Sequence, residues 1–135
     1  MAESSELSVE MFGGGAPDAG FFTWDLGRDL VYGDSALAML FGLDPYETEH
    51  GIPLETYLNR VHPEDRPRLA VAIRDTIVAG QPQQETYRVM NSQNVYGAVT
   101  AFGRCFRDRA DNPVLYSGIV VPAIGVDADA GGYTH

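Results

Sequence analysis

Cysteine is almost absent from this chain of 135 residues, in which Cys105 is the only thiol. A single thiol cannot form an intramolecular disulfide, so the sequence does not require an oxidising compartment. Long apolar runs are missing as well, since no stretch approaches the ~20 residues of a membrane-spanning helix. The acidic start, MAESSELSVEMF, is unlike a signal peptide. Together these absences predict a cytoplasmic protein that has no membrane partner.

Positive charge is also scarce. Nine Lys and Arg residues stand against nineteen Asp and Glu residues, which gives a net charge of −10. Binding to a phosphate backbone needs a surplus of basic side chains, and so does binding to an anionic membrane surface. The composition therefore argues against nucleic acid as a partner.

What the chain does contain is typical of one globular domain, with 44% hydrophobic and 21% charged residues. Three regions are expected. Residues 1–19 read as an N-terminal amphipathic helix and linker, residues 20–123 as the domain, and residues 124–135 as a flexible tail that is small, polar and rich in glycine.

The N-terminal segment carries three apolar side chains, Leu7, Met11 and Phe12, on one side of its predicted helix. A helix of this length is unstable alone in water, so it has to pack against its own domain or another chain. We expect these three residues to form a homodimer interface.

The stretch from residue 60 to residue 80, RVHPEDRPRLAVAIRDTIVAG, predicts the longest helix of the molecule. Pro63 suits the first helical position, and Glu64 and Asp65 place negative charge in the first turn. Gly80 is suited to end the helix in the left-handed conformation. Apolar residues at steps of three and four predict one buried face, formed by Leu69, Ala72, Ile73, Thr76 and Ile77.

Elsewhere the hydrophobic period is two, which predicts strands. Two strands are expected before the helical region and three after it, at residues 20–26, 30–33, 84–90, 95–107 and 114–122. This order predicts an α+β domain, in which one five-stranded antiparallel sheet has its concave face covered by the helices.

Shorter elements connect these parts. A buried helix is expected after Asp34 or Ser35 and up to Gly42, and a brief helical stripe at residues 54–61. Residues 47–53 are expected to be a loop. In the turn between the third and fourth strands, Asn94 can take the left-handed conformation that usually requires glycine.

Several short pieces, in this order and at these spacings, resemble a PAS domain of the subgroup with a His-Pro-x-Asp motif before the long helix. The motif reads His62-Pro63-Glu64-Asp65 in this chain. The resemblance covers about residues 20–122. The other matching pieces are Trp24-Asp25-Leu26, Tyr32, Phe41-Gly42-Leu43-Asp44-Pro45, Tyr87-Arg88-Val89 and Gly118.

The resemblance implies the strand order 2-1-5-4-3 and a pocket between the helices and the sheet. It implies a stand-alone sensory or interaction domain of cytoplasmic signal transduction, which binds a small molecule or a signalling partner non-covalently and has no catalytic activity. Many members end in an Asp-Ile-Thr-like triplet that passes the signal to a following effector, where this chain has Val121-Pro122-Ala123. The initiator Met and the final Gly-Gly-Tyr-Thr-His favour a complete short protein. The alternative is a sensor fragment of a histidine kinase or another multidomain regulator.

Haem and covalently bound flavin are both disfavoured as cofactors. Haem-binding relatives coordinate iron through a histidine on or beside the long helix, and no histidine lies between Leu69 and Gly80. Flavin-photosensing relatives use a cysteine in the helical region, whereas Cys105 falls in a predicted strand. His62 precedes a proline, and we expect it to have a structural role.

The interior aromatic residues are expected to pack the core, or to line a pocket for an unknown small ligand. Members of the family usually carry a tryptophan where this chain has Ala98, which would leave space if it pointed inward. The candidates for the pocket lining are Trp24, Tyr32, Met39, Tyr57, Ile73, Tyr87, Ala98, Phe102 and Arg104.

Three classes of function remain open at this point. A ligand sensor predicts an internal cavity of roughly a few hundred Å³. A protein-interaction module predicts a filled core and an exposed apolar patch. A small α+β enzyme predicts a buried carboxylate with a raised pKa, for which Asp25 and Asp75 are the candidates. The polar run at residues 44–50 is expected to be a solvated loop and no metal site.

Overall fold

A computed structural model of the chain describes residues 19–123. The predicted N-terminal helix, with Leu7, Met11 and Phe12, and the predicted tail at 124–135 lie outside the described residues. The elements follow in the order β1 Gly20–Asp25, β2 Leu30–Gly33, α1 Ser35–Phe41, α2 Pro45–His50, α3 Leu54–Leu58, α4 Arg66–Ala79, β3 Gln83–Met90, β4 Tyr96–Arg107 and β5 Pro113–Pro122.

The strands form one antiparallel sheet in the order β2-β1-β5-β4-β3, which confirms the predicted topology. The last strand of the chain therefore lies in the centre of the sheet, between the first strand and the fourth. Its register pairs Phe22 with Gly118 on one side and Gly103 with Gly118 on the other.

One face of the sheet is buried under the helices, and β4 shows how the sequence selects it. Val99, Ala101 and Gly103 are buried, whereas the alternating Phe102 and Arg104 are exposed. Successive side chains of a strand point to opposite faces, so the first set lies on the inner face and the second on the outer face. The core forms between that inner face and the helices.

Two short helices begin at aspartates that accept backbone hydrogen bonds. The Asp34 carboxylate accepts from Leu37 N at 3.0 Å, and α1 ends as predicted at Gly42, which has a φ of 64°. The Asp44 carboxylate accepts from Glu47 N at 3.0 Å, with Pro45 in the first turn. The predicted loop at 47–53 is therefore wrong over its first part, because this cap and this proline start α2.

The helical stripe predicted at residues 54–61 is shorter than expected. The helix α3 ends at Leu58, and Val61 instead forms an isolated bridge with Val89 of β3. The helix therefore does not continue to Val61, because that residue pairs with the sheet. As predicted, Asn94 takes the left-handed conformation, with a φ of 62°.

The long helix α4 begins three residues later than predicted, at Arg66 and not at Pro63. Residues 62–65 form a turn instead, in which Asp65 N donates to His62 O at 2.8 Å. The Asp65 carboxylate does not cap the helix, because it binds Arg88 of β3. The predicted end at Gly80 is confirmed, with a φ of 73°. None of the helices within residues 19–123 is long and apolar enough to cross a membrane.

Candidate functional site

A cavity of about 60 Å³ lies between the inner face of the sheet and the helices. All five strands contribute to its walls, and the helices α1, α3 and α4 supply the walls outside the sheet. The residues that line it are Phe22, Trp24, Val31, Leu37, Phe41, Leu54, Tyr57, Leu58, Val61, Leu69, Ile73, Gln83, Tyr87, Ala101, Tyr116 and Val120.

The lining is almost entirely apolar and includes no charged side chain. Even the indole of Trp24 contributes only its apolar surface, because its Nε1 donates outward to Asp29 Oδ1 at 2.9 Å. The polar groups in the walls are the tyrosine hydroxyls and the amide of Gln83.

Tyr116 and Gln83 form a buried polar pair at the sheet side of the cavity. The Tyr116 hydroxyl donates to Gln83 Oε1, and both residues are less than a tenth exposed. Burial raises the pKa of Tyr116 to about 12. A glycine makes room for the pair, since a Cβ at Gly103 would lie 2.8 Å from Tyr116 Cε1 and 3.3 Å from Gln83 Oε1.

Two further tyrosines are buried in the walls. Burial raises the pKa of both Tyr57 and Tyr87 above the ordinary tyrosine range. The Tyr57 hydroxyl has no hydrogen-bond partner among residues 19–123. The hydroxyl of Thr48 is the nearby polar group, and it donates to Asp44 O at 2.8 Å. The ring of Tyr57 packs edge-on against Phe41, with centroids 5.2 Å apart.

The N-terminal end of α4 is held to β3 by a partly buried ion pair. Asp65 Oδ1 lies 2.8 Å from Arg88 Nη2, and Asp65 Oδ2 accepts from Arg88 Nε at 3.0 Å and from Arg88 N at 2.9 Å. The hydrogen bonds from Arg88 lower the pKa of Asp65, and the same bonds raise the pKa of Arg88. His62 N donates to Arg88 O at 2.8 Å, so the His-Pro-x-Asp segment is held to one residue of the strand.

The other end of α4 is held by β4. Arg107 Nη2 donates to Ile77 O at 2.9 Å. Between these two attachments only Leu69 and Thr76 of the helix are buried, and Ile73, which faces the cavity, is half-buried. The helix is therefore a cavity wall that is fixed at its ends and lightly packed along its middle.

The outer face of the sheet carries an exposed apolar row. Phe21, Ile119 and Phe102 are neighbours across β1, β5 and β4. Phe21 is 62% exposed and Phe102 is 37% exposed. On the same face, beyond the polar pair Arg104–Ser117, Leu115 and Phe106 form a second exposed apolar pair. We call the five apolar residues, Phe21, Phe102, Phe106, Leu115 and Ile119, the outer apolar row.

A family model described as the PAS fold matches residues 30–120, which is well over half of the chain. The chain belongs to the PAS fold family. Membership in the subgroup with the His-Pro-x-Asp motif stays a prediction. A search of curated proteins finds no match.

Solved structures show the same fold. A sensory box histidine kinase/response regulator from Burkholderia thailandensis is similar with a TM-score of 0.73 at 18% identity, over 96% of this chain and 91% of that one. The N-terminal domain of a diguanylate cyclase with PAS/PAC sensor from Marinobacter aquaeolei gives 0.67 at 16%, over 77% and 94%. Cycle PAS-B of Drosophila melanogaster, with bound ethylene glycol, gives 0.62 at 15%, over 76% and 98%.

Of the nine residues expected to line a pocket, the PAS domain brings four together. Trp24, Tyr57, Ile73 and Tyr87 all line the cavity. Their aromatic or β-branched side chains lie at inward positions of β1, α3, α4 and β3, as the hydrophobic periodicity indicated.

The other five predicted lining residues lie elsewhere, and the prediction is corrected for each. In β4 the inward positions are Val99 and Ala101, so the alternating residues Ala98, Phe102 and Arg104 lie on the outer face. Space in the core therefore does not come from Ala98. The remaining two are Met39, which is 59% exposed on α1, and Tyr32, which lines a surface depression beside Phe21.

Three residues important to the cavity were missed. Gln83 was missed because the third strand was predicted to begin at residue 84, whereas β3 begins at Gln83. Tyr116 was predicted to lie in a strand but was not among the candidate lining residues. The alternation of Tyr116 with Gly118 and Val120 could have identified it, since Tyr116 and Val120 are buried. Gly103, which admits the Tyr116–Gln83 pair, carries no side chain and hence no hydrophobic signal.

The residues considered for other chemistry do not line the cavity. Asp25 and Asp75, the candidate enzymatic bases, have side chains 34% and 60% exposed. Asp65, the buried carboxylate among residues 19–123, has a lowered pKa. His62 packs on Tyr96 with ring centroids 4.7 Å apart, and its Nδ1 accepts from Glu64 N. No group of three His, Cys, Asp or Glu residues within the described part of the chain is placed to hold a metal ion.

Proposed function

We propose that this PAS domain is a sensory domain of cytoplasmic signal transduction, which binds a small molecule non-covalently in the cavity and signals to a partner protein. The observation that carries the proposal is the cavity behind α4, whose apolar walls come from every layer of the fold. The fold of the sensory box histidine kinase/response regulator supports a sensory role. The Cycle PAS-B structure with bound ethylene glycol supports a small non-covalent ligand.

The signal passes through the position of α4. A ligand in the cavity contacts Ile73, in the lightly packed middle of the helix, while Asp65–Arg88 and Arg107 hold its ends. Movement of the helix is then transmitted to β3 and β4, which carry these two arginines. A ligand shifts such an equilibrium only by its difference in affinity for the two helix positions.

The output surface in this proposal is the outer apolar row. A partner that covers Phe21 and Phe102 would remove exposed aromatic surface from water, which favours association. The same observation favours a second candidate function, a protein-interaction module in which the cavity plays no part. The cavity is smaller than the few hundred Å³ that we expected of a ligand sensor, which keeps this candidate open.

The partner is in our proposal a separate protein. The segment Val121-Pro122-Ala123 differs from the Asp-Ile-Thr-like triplet through which related domains act on a following effector. The alternative, a sensor module within a histidine kinase, is favoured by the likeness to the Burkholderia thailandensis protein. A catalytic role has no support from Asp25, which is half-buried, or from Asp75, which is exposed, since neither lines the cavity.

Native mass spectrometry, combined with hydrogen exchange, tests the sensory proposal. We expect the protein purified from its own host to carry a non-covalent adduct, and we expect its loss on mild denaturation and refolding to increase amide exchange in α4. An outer-face variant, Phe102→Ser, should keep the adduct and lose partner binding. A protein that carries no adduct and whose α4 exchange is insensitive to added host extract would leave the interaction module as the better proposal.

A further inference from the structure

The cavity itself indicates the chemistry of its occupant, and this inference rests on the proposed function. Its volume of about 60 Å³ is the first constraint. A protein cavity of about 150 Å³ holds benzene, and the share of one water molecule in the liquid is about 30 Å³. The space in this domain is therefore too small for an aromatic ring, a flavin or a haem unless the walls move.

The second constraint is charge. No Asp, Glu, Lys, Arg or His lines the cavity. The charged groups Asp65 and Arg88, at the end of α4, are paired with each other. An ion brought into the cavity would lose its hydration without gaining a counter-ion, which is strongly unfavourable. Carboxylates, phosphates and ammonium ions are excluded on this ground.

The third constraint is polarity. The walls consist mainly of aromatic rings and aliphatic side chains, and apolar cavities of this kind stay dry. Hydrogen-bonding groups are few: on the sheet side the Tyr116 hydroxyl is already engaged with Gln83 Oε1, and on α3 the Tyr57 hydroxyl has no partner among residues 19–123. A ligand with several polar groups would therefore leave most of them without a hydrogen bond, which is unfavourable.

We propose that the occupant of the cavity is an uncharged, mainly apolar molecule smaller than benzene, of the size of a dissolved gas or a short-chain alcohol. The Tyr116–Gln83 pair offers one contact for a hydroxyl group on the sheet side. The neighbouring rings of Phe22, Trp24 and Tyr87 supply dispersion contacts on the same side, and Leu58, Leu69 and Ile73 supply them on the helix side. Such a ligand enters without rearranging the sheet, and its contact with Ile73 links occupancy to the helix α4.

Titration of methyl and amide NMR signals tests the ligand class with three probes: xenon, ethanol and benzoate. Xenon is expected to give saturable shifts at Leu37, Ile73 and Val120. Saturable shifts with ethanol as well identify an alcohol-type site, and shifts with xenon alone identify a gas-type site. Absence of saturable shifts with both overturns the proposal, and so does saturable binding of benzoate at these residues.

Two neighbouring residues of β4 provide matched variants. Ala101→Val adds volume to the inner face and is expected to abolish the xenon shifts, whereas Thr100→Val lies on the outer face and should leave them unchanged. A second cavity variant, Ile73→Ala, enlarges the space and is expected to gain saturable benzene binding that the natural chain lacks. Loss of xenon binding in Thr100→Val, or no benzene binding in a folded Ile73→Ala protein, would count against the site.

Hydrogen exchange of the α4 amides separates this proposal from the sensory one. If xenon or ethanol binds and α4 exchange does not change, the ligand class is supported and the sensory mechanism fails. If a larger or charged molecule from the host binds and does slow α4 exchange, the sensory mechanism is supported and the ligand class proposed from the cavity is wrong.

Discussion

Asp65 is the residue on which the junction between α4 and β3 most depends. Its carboxylate accepts from three N–H groups of Arg88, and its side chain is 11% exposed. Asp65→Asn removes the charge and leaves the guanidinium without its main partner. We expect the free energy of unfolding to fall by about 2 kcal/mol, measured by urea denaturation.

Glu64→Gln is the matched control for this variant. Glu64 lies next to Asp65 and also contacts Arg88, at 3.3 Å, but its side chain is 77% exposed. Solvent screening weakens such a pair, so the loss should be about 0.5 kcal/mol or less. Equal losses of unfolding free energy in the two variants would show that the greater burial of Asp65 does not strengthen its interaction with Arg88.

The lowered pKa of Asp65 predicts that the stability of the domain depends on pH. The hydrogen bonds from Arg88 lower the pKa of Asp65 in the folded state, whereas in the unfolded chain it is about 3.9. The stabilisation is thus present above that unfolded value and is lost as the pH falls through the lower folded value. We expect the stability of Asp65→Asn to fall less steeply than that of the natural chain below about pH 4, measured by denaturation at several pH values. Parallel profiles would contradict this assignment.

At the scale of secondary-structure elements, two glycines end helices in the left-handed conformation but differ in their surroundings. A Cβ on Gly42 would lie 2.7 Å from Asn91 C and 2.8 Å from Ser92 N, whereas a Cβ on Gly80 would meet nothing within 4 Å. Gly80→Ala should therefore cost only the backbone strain of about 1 kcal/mol. Gly42→Ala should lose about 1–3 kcal/mol more, because the backbone of the β3–β4 turn has to move.

Thermal unfolding followed by circular dichroism compares the two variants directly. The close packing at Gly42 also involves Arg60, whose guanidinium donates to Phe41 O, Met90 O and Asn91 O. We therefore expect the Gly42→Ala change to loosen this connection between α1 and β3. Similar melting temperatures for both alanine variants would mean that the contact at Gly42 relaxes without cost.

The elements that the sequence predicted well have strong local signals. The strands follow a period of two, and Gly42 and Gly80 mark two helix ends. The signals at Pro63 were equally local, yet the helix α4 starts at Arg66. The reason is a long-range contact: Asp65 binds Arg88, which is 23 residues further along the chain. Capping preferences depend only on neighbouring residues, so they could not predict the effect of this contact on the start of the helix.

Which residues of each strand face the core was the least predictable part of the candidate site. A shift of one residue in the assumed orientation moves every side chain of a strand to the other face. That is why Ala98, Phe102 and Arg104 were expected in the pocket together and lie together on the outer face. The orientation of β4 is fixed by its neighbours, for example by the pairing of Gly103 with Gly118, and these pairings are not visible in the sequence of β4 alone.

At the scale of the whole molecule, the outer apolar row lies on the sheet at the point where the described chain begins. Phe21 is the second residue of β1, and residues 1–18 immediately precede Ala19. The row and the predicted N-terminal helix are both apolar on one side, and each would gain by removing that side from water. Because the row is the surface proposed for the signalling partner, we expect the homodimer to be held by the N-terminal segment, through Leu7, Met11 and Phe12.

Sedimentation velocity tests the homodimer through its N-terminal segment. We expect the full chain to sediment as a dimer and a chain without residues 1–15 to sediment as a monomer. Leu7→Ser, Met11→Ser and Phe12→Ser combined should have the same effect, since they remove the apolar side chains at unchanged length. Removal of residues 124–135 is the control and should leave the dimer intact. A monomeric full chain, or a dimer that survives the triple substitution, would show that these side chains do not hold two subunits together.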